Sequence, residues 1–274
     1  MSKNVESFHL VDLSSGRRAM MNALDLASPK HYMYGLLEVD VSIAQKFIAD
    51  QKIRTGEAYS FTGYLAYCLA RAVDEHKEVQ GYLKGRKKLI ILDDVNVGVM
   101  VERKIGEKTV LMGHVIQGAN HKSYREIHQE IRSAQSEPVP PGRGVPKWFS
   151  SALLLPWPLS GLVKTLMSIV MRQNPMIRIS TSGTVFVTSV GMFGKRHSGW
   201  GVTTTPHSLS LVVGGISRKP VVVDEQIEPR EILNLTVLFD HDVVDGAPAT
   251  RFVRRLVELI ESGYDLDDLD VIAY

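Results

Sequence analysis

The chain is poor in the features that most quickly assign a protein. It has one cysteine, Cys68, so no intramolecular disulfide framework is available, and a lone thiol fits a reducing compartment. Aromatic residues make up only 7% of the 274 positions, and 32 Lys and Arg nearly balance 30 Asp and Glu, for a net charge of +2. Such a balance offers no electrostatic footprint for nucleic acid. The opening, Met1-Ser-Lys-Asn-Val-Glu-Ser7, lacks an apolar signal region, and a cytoplasmic protein is expected. The most apolar stretch, Trp148 to Met171, carries one charge, Lys164, but Pro156 and Pro158 divide it. Neither piece reaches the ~20 residues that a spanning helix needs, so no transmembrane segment is expected. Nine histidines are present without His-Glu-x-x-His or paired-cysteine spacing, and there is no Gly-x-Ser-x-Gly elbow. Neither a metal site nor a serine hydrolase is therefore expected.

What is present describes an ordinary globular chain, 44% apolar and 23% charged, long enough to bury a sizeable core. Residues 13–24 read as a capped helix start with Ser14 or Ser15 as N-cap. Leu36 to Val41 reads as a strand, and Ser60 to Val79 as an amphipathic helix burying Phe61, Leu65, Leu69, Ala72 and Val73, with Cys68 in its apolar stripe. Residues 87–92 and 95–101, separated by Asp93-Asp94, read as a β-hairpin, followed by a strand from Thr109 to Ile116. Ser123 to Ala134 reads as a helix with Tyr124, Ile127, His128 and Ile131 on one side. A proline-rich loop, 137–146, leads into the apolar stretch, where Leu159, Leu162, Val163, Leu166, Met167 and Val170 recur at helical spacing. Thr184 to Gly194, Ser208 to Ile216 and a short Val221 to Ile227 supply further strands. The glycines at 191, 194, 199 and 201 suggest a phosphate loop only superficially, because no helix follows them.

One stretch concentrates the chemistry. Leu233, Leu235, Val237 and Phe239 alternate on one face of a strand, His241 follows, and Asp245-Gly246 comes four residues later. Pro248 then stands near a helix start, Phe252, Val253, Leu256, Val257 and Ile260 recur at helical spacing, and Gly263 reads as the stop. A histidine at the mouth of a strand can reach a cleft and titrate near neutral pH, and Asp245 is close enough in sequence to pair with it.

His241-x-x-x-Asp245-Gly246 after a strand resembles the signature of the acyltransferase catalytic domains of 2-oxo acid dehydrogenase complexes, the dihydrolipoamide acyltransferases, and of chloramphenicol acetyltransferase. The run from Leu235 to Phe252 looks closer to the dihydrolipoamide branch. Glu38-Val-Asp-Val41, Val95-Asn-Val-Gly-Val99 and Thr184-Val-Phe-Val-Thr-Ser-Val-Gly-Met-Phe-Gly194 extend the similarity, which covers residues 13–135 and 183–262. Departures are Lys77 and His114 where the family has proline, Ser189 where asparagine is common, and Asp242 where arginine is usual, a reversed charge beside the histidine.

The resemblance implies a two-layer α/β sandwich, a mixed β-sheet with packed helices in the chloramphenicol acetyltransferase-like fold. It would comprise an N-terminal arm (1–12) and a single catalytic domain (13–274) with an apolar insert at 137–172, covering a pocket or packing on a neighbouring subunit. It implies acyl transfer between coenzyme A, as co-substrate, and the thiol of a dihydrolipoyl group. His241 would be the general base and Thr188 the oxyanion donor, meeting across the interface of a homotrimer. Asp245 would orient the turn, Arg17 would brace Asp245, Gly246 would support the site, and His31 would be structural or at the cleft edge, not catalytic. The lipoyl domain and its lysine are not found in this sequence, which leaves a free-standing acyltransferase, one served by a lipoylated protein in trans, or a chain whose upstream part has been removed. The acidic ending, 265–274, argues for a trimer without a larger cubic or icosahedral core. Two alternatives remain: a non-catalytic trimeric scaffold subunit, and transfer to a small hydroxyl or amine acceptor. The thiol chemistry is consistent in either direction, since only the thiolate attacks well and a thiol pKa near ~8.5 lies within reach of a neutral imidazole.

Overall fold

The computed structural model describes residues 9–13, 17, 21, 24, 30–85, 87–105, 108–136, 165, 176–189 and 198–266. The expected cap at Ser14 or Ser15, the insert except Thr165, Gly191, Gly194 and the ending beyond Leu266 lie outside the described residues. In chain order the elements are β1 (Tyr32–Asp40), α1 (Ser42–Thr55), α2 (Phe61–Glu75), β2 (Tyr82–Lys84), β3 (Lys88–Ile90), β4 (Val97–Ile105) and β5 (Lys108–Ile116). Then come α3 (Tyr124–Ser136), α4 (Met176–Ser182), β6 (Val185–Ser189), β7 (Leu209–Val223), β8 (Gln226–Asp240) and α5 (Gly246–Glu261). Six strands form one sheet in the order β1-β8-β7-β6-β4-β5. β6 runs parallel to both β4 and β7, and the other neighbours are antiparallel. The sheet is therefore mixed, as expected.

Strand β8 is central to the core. Leu233, Leu235, Val237 and Phe239 are each at most 2% exposed and share one apolar cluster with Leu65, Leu69 and Val73 of α2 and Phe252, Leu256 and Ile260 of α5. Burying a side chain of this size contributes about 1.5–3 kcal/mol. Every residue from Ile232 to Asp240 is buried, so register is strongly specified, because a slip of one residue would turn the apolar set away from the helices. Cys68 sits in the same cluster with no exposure, and burial pushes its thiol up to about 12, so it packs and does not react.

Helix α2 starts on a double satisfaction of backbone donors. Ser60 Oγ accepts the Gly63 N–H at 3.1 Å, and the Ser60 N–H donates to His128 Nδ1 at 3.0 Å. His128 stacks on Tyr59, with ring centroids 4.5 Å apart, and its Nε2 lies 3.0 Å from Glu57 Oε1. The ring is thus neutral, with Nε2–H donating and Nδ1 accepting.

Three readings of the sequence are corrected. Residues 87–92 and 95–101 do not pair with each other: β3 pairs with β2, and β4 pairs with β5. The chain is diverted at Val95, whose N–H donates to the buried Asn120 Oδ1 at 2.9 Å and whose carbonyl accepts from Ala119 N at 2.7 Å. The short strand at 221–227 is the tip of a long β7–β8 hairpin, closed by Asp224 and Glu225 at φ 46° and 65°. Two consecutive positive φ values are those of a primed hairpin turn, usually advertised by Asn-Gly or Asp-Gly. Helix α1 went unread because it has no clean stripe: Ile43 and Ile53 are 49% and 84% exposed, while Gln51 is buried.

β7 continues past Gly214-Gly215 through a bulge between Val213 and Ile216. A Cβ on Gly214 would lie 2.3 Å from the Gly199 carbonyl oxygen and 2.6 Å from that of Asn234. The glycine therefore admits segment 198–207 close over the sheet. That segment is tied to β1 by the Trp200 indole N–H to Leu37 O at 2.9 Å and by the Tyr32 hydroxyl to Thr205 O.

Burial holds the folded-state pKa of His128 below its ordinary value, outweighing the carboxylate of Glu57. The folded chain therefore takes up this proton less readily than the unfolded one. The contribution of His128 is fully present above about pH 6.5 and is lost as pH falls, with a slope of at most about 1.4 kcal/mol per pH unit. Thermal unfolding midpoints between pH 7.5 and 5.5 should fall less steeply in His128→Gln than in the wild type, and parallel curves would reject this assignment.

Candidate active site

β8 ends at Asp240, and that residue makes the turn. Its carbonyl accepts from Val243 N at 2.9 Å and Val244 N at 3.1 Å, while its Oδ1 accepts from Asp242 N at 3.2 Å. Its Oδ2 forms an ion pair with Lys30 Nζ, both side chains being largely buried. The turn places His241 at the rim, with its side chain 52% exposed. The His241 N–H donates to the His31 carbonyl at 2.7 Å, continuing the β1–β8 ladder by one bond.

Asp245 is the N-cap residue of α5 but makes no side-chain capping bond. Its carboxylate instead lies 4.0 Å from His241 Nδ1, at the limit of an ion pair, and is 87% exposed. The sequence pairing of His241 with Asp245 is thus present, as a loose contact. Gly246 opens α5 with open space where a Cβ would stand among the described residues, and its φ is not in the left-handed region. Arg17 is exposed, and the charged partner of Asp245 among the described residues is His241.

Thr188 lies on β6 and pairs with Val212 of β7, which pairs with Thr236 of β8. Val185 and Val187 belong to the core cluster, so Thr188 points to the sheet face away from the helices. His241 is five positions beyond Thr236, roughly 16 Å along the strand, and two strands away, about 10 Å across. The two side chains of one chain are therefore far too distant to share a reacting atom.

The remaining histidines singled out have partners. His114 Nε2 lies 3.0 Å from Glu130 Oε1, and Lys122 Nζ lies 2.6 Å from Oε2 of the same carboxylate. Burial raises the Glu130 pKa, but the two bonds outweigh it and hold the group below its ordinary value. β5 is the edge strand farthest from β8, so His114 is remote from His241. His31, expected to be structural, faces Asp242, with Nδ1 3.0 and 3.2 Å from the two carboxylate oxygens. Lys30 and the His31–Asp242 contact were not legible beforehand, since about two hundred residues separate the partners and no local pattern links them. Among the described residues no group of three His, Cys, Asp or Glu could hold a metal ion, and no helix is long and apolar enough to cross a membrane.

A mixed sheet backed on one face by helices, with a strand next to its edge ending in His-x-x-x-Asp-Gly, is the two-layer acyltransferase fold. The chain belongs to the family of 2-oxoacid dehydrogenases acyltransferase (catalytic domain), which matches residues 6–137 and 168–266. It is 24% identical over 236 residues to the lipoamide acyltransferase component of the branched-chain alpha-keto acid dehydrogenase complex of Bacillus subtilis (strain 168), covering 84% of this chain and 47% of that protein. It is 25% identical over 228 residues to the mitochondrial dihydrolipoyllysine-residue succinyltransferase component of the 2-oxoglutarate dehydrogenase complex of Saccharomyces cerevisiae, covering 82% and 41%. The chain thus spans less than half the length of these relatives. Among solved structures it is similar to a probable dihydrolipoamide acetyltransferase from Listeria monocytogenes, with a TM-score of 0.66, 20% identity and coverage of 94% and 96%. The dihydrolipoamide acetyltransferase of Azotobacter vinelandii gives a TM-score of 0.68 at 18% identity, covering 96% of each chain.

The Lys30–Asp240 pair should matter most for stability at this rim. Lys30→Met leaves a buried carboxylate without its cation and should cost about 3 kcal/mol, read as the denaturant midpoint at constant slope. His31→Ala, which breaks a pair whose side chains are 79% and 42% exposed, should cost no more than about 1 kcal/mol. Equal losses in the two variants would contradict this ranking.

Proposed function

We propose that the chain transfers acyl groups between coenzyme A and the thiol of a dihydrolipoyl group carried by a separate lipoylated protein. In this reading His241 of one copy is the general base and Thr188 of a neighbouring copy is the oxyanion donor, in a homotrimer acting in the cytoplasm. The observation that carries the reading is the state of the His241 imidazole. Its Nδ1 faces Asp245 and half of the side chain is open to solvent, so Nε2 is available to a substrate. Membership of the acyltransferase family supports the reaction class. In the Azotobacter enzyme a serine, a histidine and an asparagine four residues after it were investigated for roles in catalysis, and the histidine spacing is that of His241 and Asp245.

Nε2 of His241 takes the proton of the attacking thiol. The thiolate sulfur bonds to the thioester carbonyl carbon, and the carbonyl π electrons move to oxygen. The Thr188 hydroxyl donates to that oxyanion. As the tetrahedral adduct collapses, the other carbon–sulfur bond breaks, and the departing thiolate takes the proton back from His241. Asp245 faces Nδ1 and orients the ring. A general base of this kind is worth roughly 10²–10⁴ in rate, and one oxyanion donor roughly 10²–10³.

The separation of Thr188 and His241 within one chain makes the trans arrangement testable. With acetyl-CoA or a longer acyl-CoA and dihydrolipoamide, His241→Ala and Thr188→Ala should each lose at least about a hundredfold in kcat. Co-assembling the two variants in equal amounts should restore roughly a quarter of the sites, because each site takes one residue from each of two copies. Restoration near zero, with mixed assembly confirmed by mass, would reject the shared site. An assembled wild type inert toward every short acyl-CoA and acceptor would favour the scaffold reading.

A further inference from the structure

Three carboxylates fall within six residues of the rim: Asp240, Asp242 and Asp245. Any of them could compete for the one imidazole among them, yet each has a different partner. Asp240 pairs with Lys30. Asp245 faces His241 Nδ1 at 4.0 Å. Asp242, bonded directly to His241 along the chain, presents both oxygens to His31 Nδ1 at 3.0 and 3.2 Å. Lys30 and His31 thus hold three consecutive residues: the side chain of Asp240, the backbone N–H of His241 and the side chain of Asp242.

We infer that His31 is a positioning residue that sequesters the Asp242 carboxylate, so that Asp245 alone holds the His241 ring. The Asp245 contact is long and solvent-exposed, and such a contact is easily displaced. A carboxylate on the adjacent residue, released from His31, would compete for the same Nδ1–H and draw the imidazole out of line. The grip of His31 requires a proton on its Nδ1, which one neutral tautomer and the cation both carry. Other charges in the cluster are already committed, Lys30 to Asp240 among them. The backbone bond from His241 N to His31 O does not depend on the His31 side chain, which separates sequestration from simple support of the turn.

This inference rests on His241 being the base, and it predicts an unusual order of effects. His31→Ala should lower kcat about tenfold with KM for both substrates within about twofold, a size typical of a misplaced catalytic group. Asp242→Ala removes the competitor and should stay within about threefold of wild type. The double variant His31→Ala/Asp242→Ala should return to within about threefold of wild type, a positive coupling that independent structural losses do not produce. A double variant as slow as His31→Ala, or His31→Ala at wild-type kcat, overturns the proposal. Imidazole ¹⁵N spectra of His241, assigned by loss of its signals in His241→Gln, give a readout that does not need turnover. They should change in His31→Ala and revert in the double variant. If no acyl-CoA is turned over, the reading of His241 as base fails while these spectra still decide the role of His31. Spectra identical in all variants overturn it.

Discussion

The buried ion pair between Lys30 and Asp240 is the contact on which the rim depends. Asp240 is the last residue of a strand buried along its whole inner half, and it must reverse the chain within four residues. A carboxylate there is tolerable because it is paired and because it accepts a backbone N–H of its own turn. Remove the cation and the charge is stranded in the core. Keep it, and the turn that carries His241 is tied to the end of β8.

The second constraint is one of reach. A sheet carries side chains at fixed intervals, and the register of β6, β7 and β8 puts Thr188 and His241 at opposite ends of their strands. No rotamer closes a gap of five strand residues and two strand spacings. A chemistry that uses both groups has to recruit them from different copies, and a single chain then has half of each site. This is the physical content behind the proposed trimer.

Much of the layout could be read in advance. The alternation through Leu233, Leu235, Val237 and Phe239, the helical spacing from Phe252 to Ile260 and the buried stripe of α2 lie where periodicity put them, because each element turns one apolar face to the same core. The errors have physical causes that the local pattern does not carry. The partner of Val95 is a side chain twenty-five residues away, the β7–β8 tip turns on two residues other than glycine, and α1 buries a glutamine while exposing two isoleucines. At Val95 and in α1 tertiary contacts overrode the local pattern, and at the hairpin tip the turn formed on residues that do not advertise it.

By itself the sequence determined the elements of the inner layer, the position of a histidine at the mouth of a strand and the aspartate one helical turn away, since these follow from spacing alone. Only the tertiary structure decided which groups meet that histidine. It brought Lys30 and His31 from the far end of the chain beside residues 240–242, and it kept Thr188 two strands away. Such pairings depend on strand order and register, which are set by how all the apolar faces are buried at once and not by any one segment.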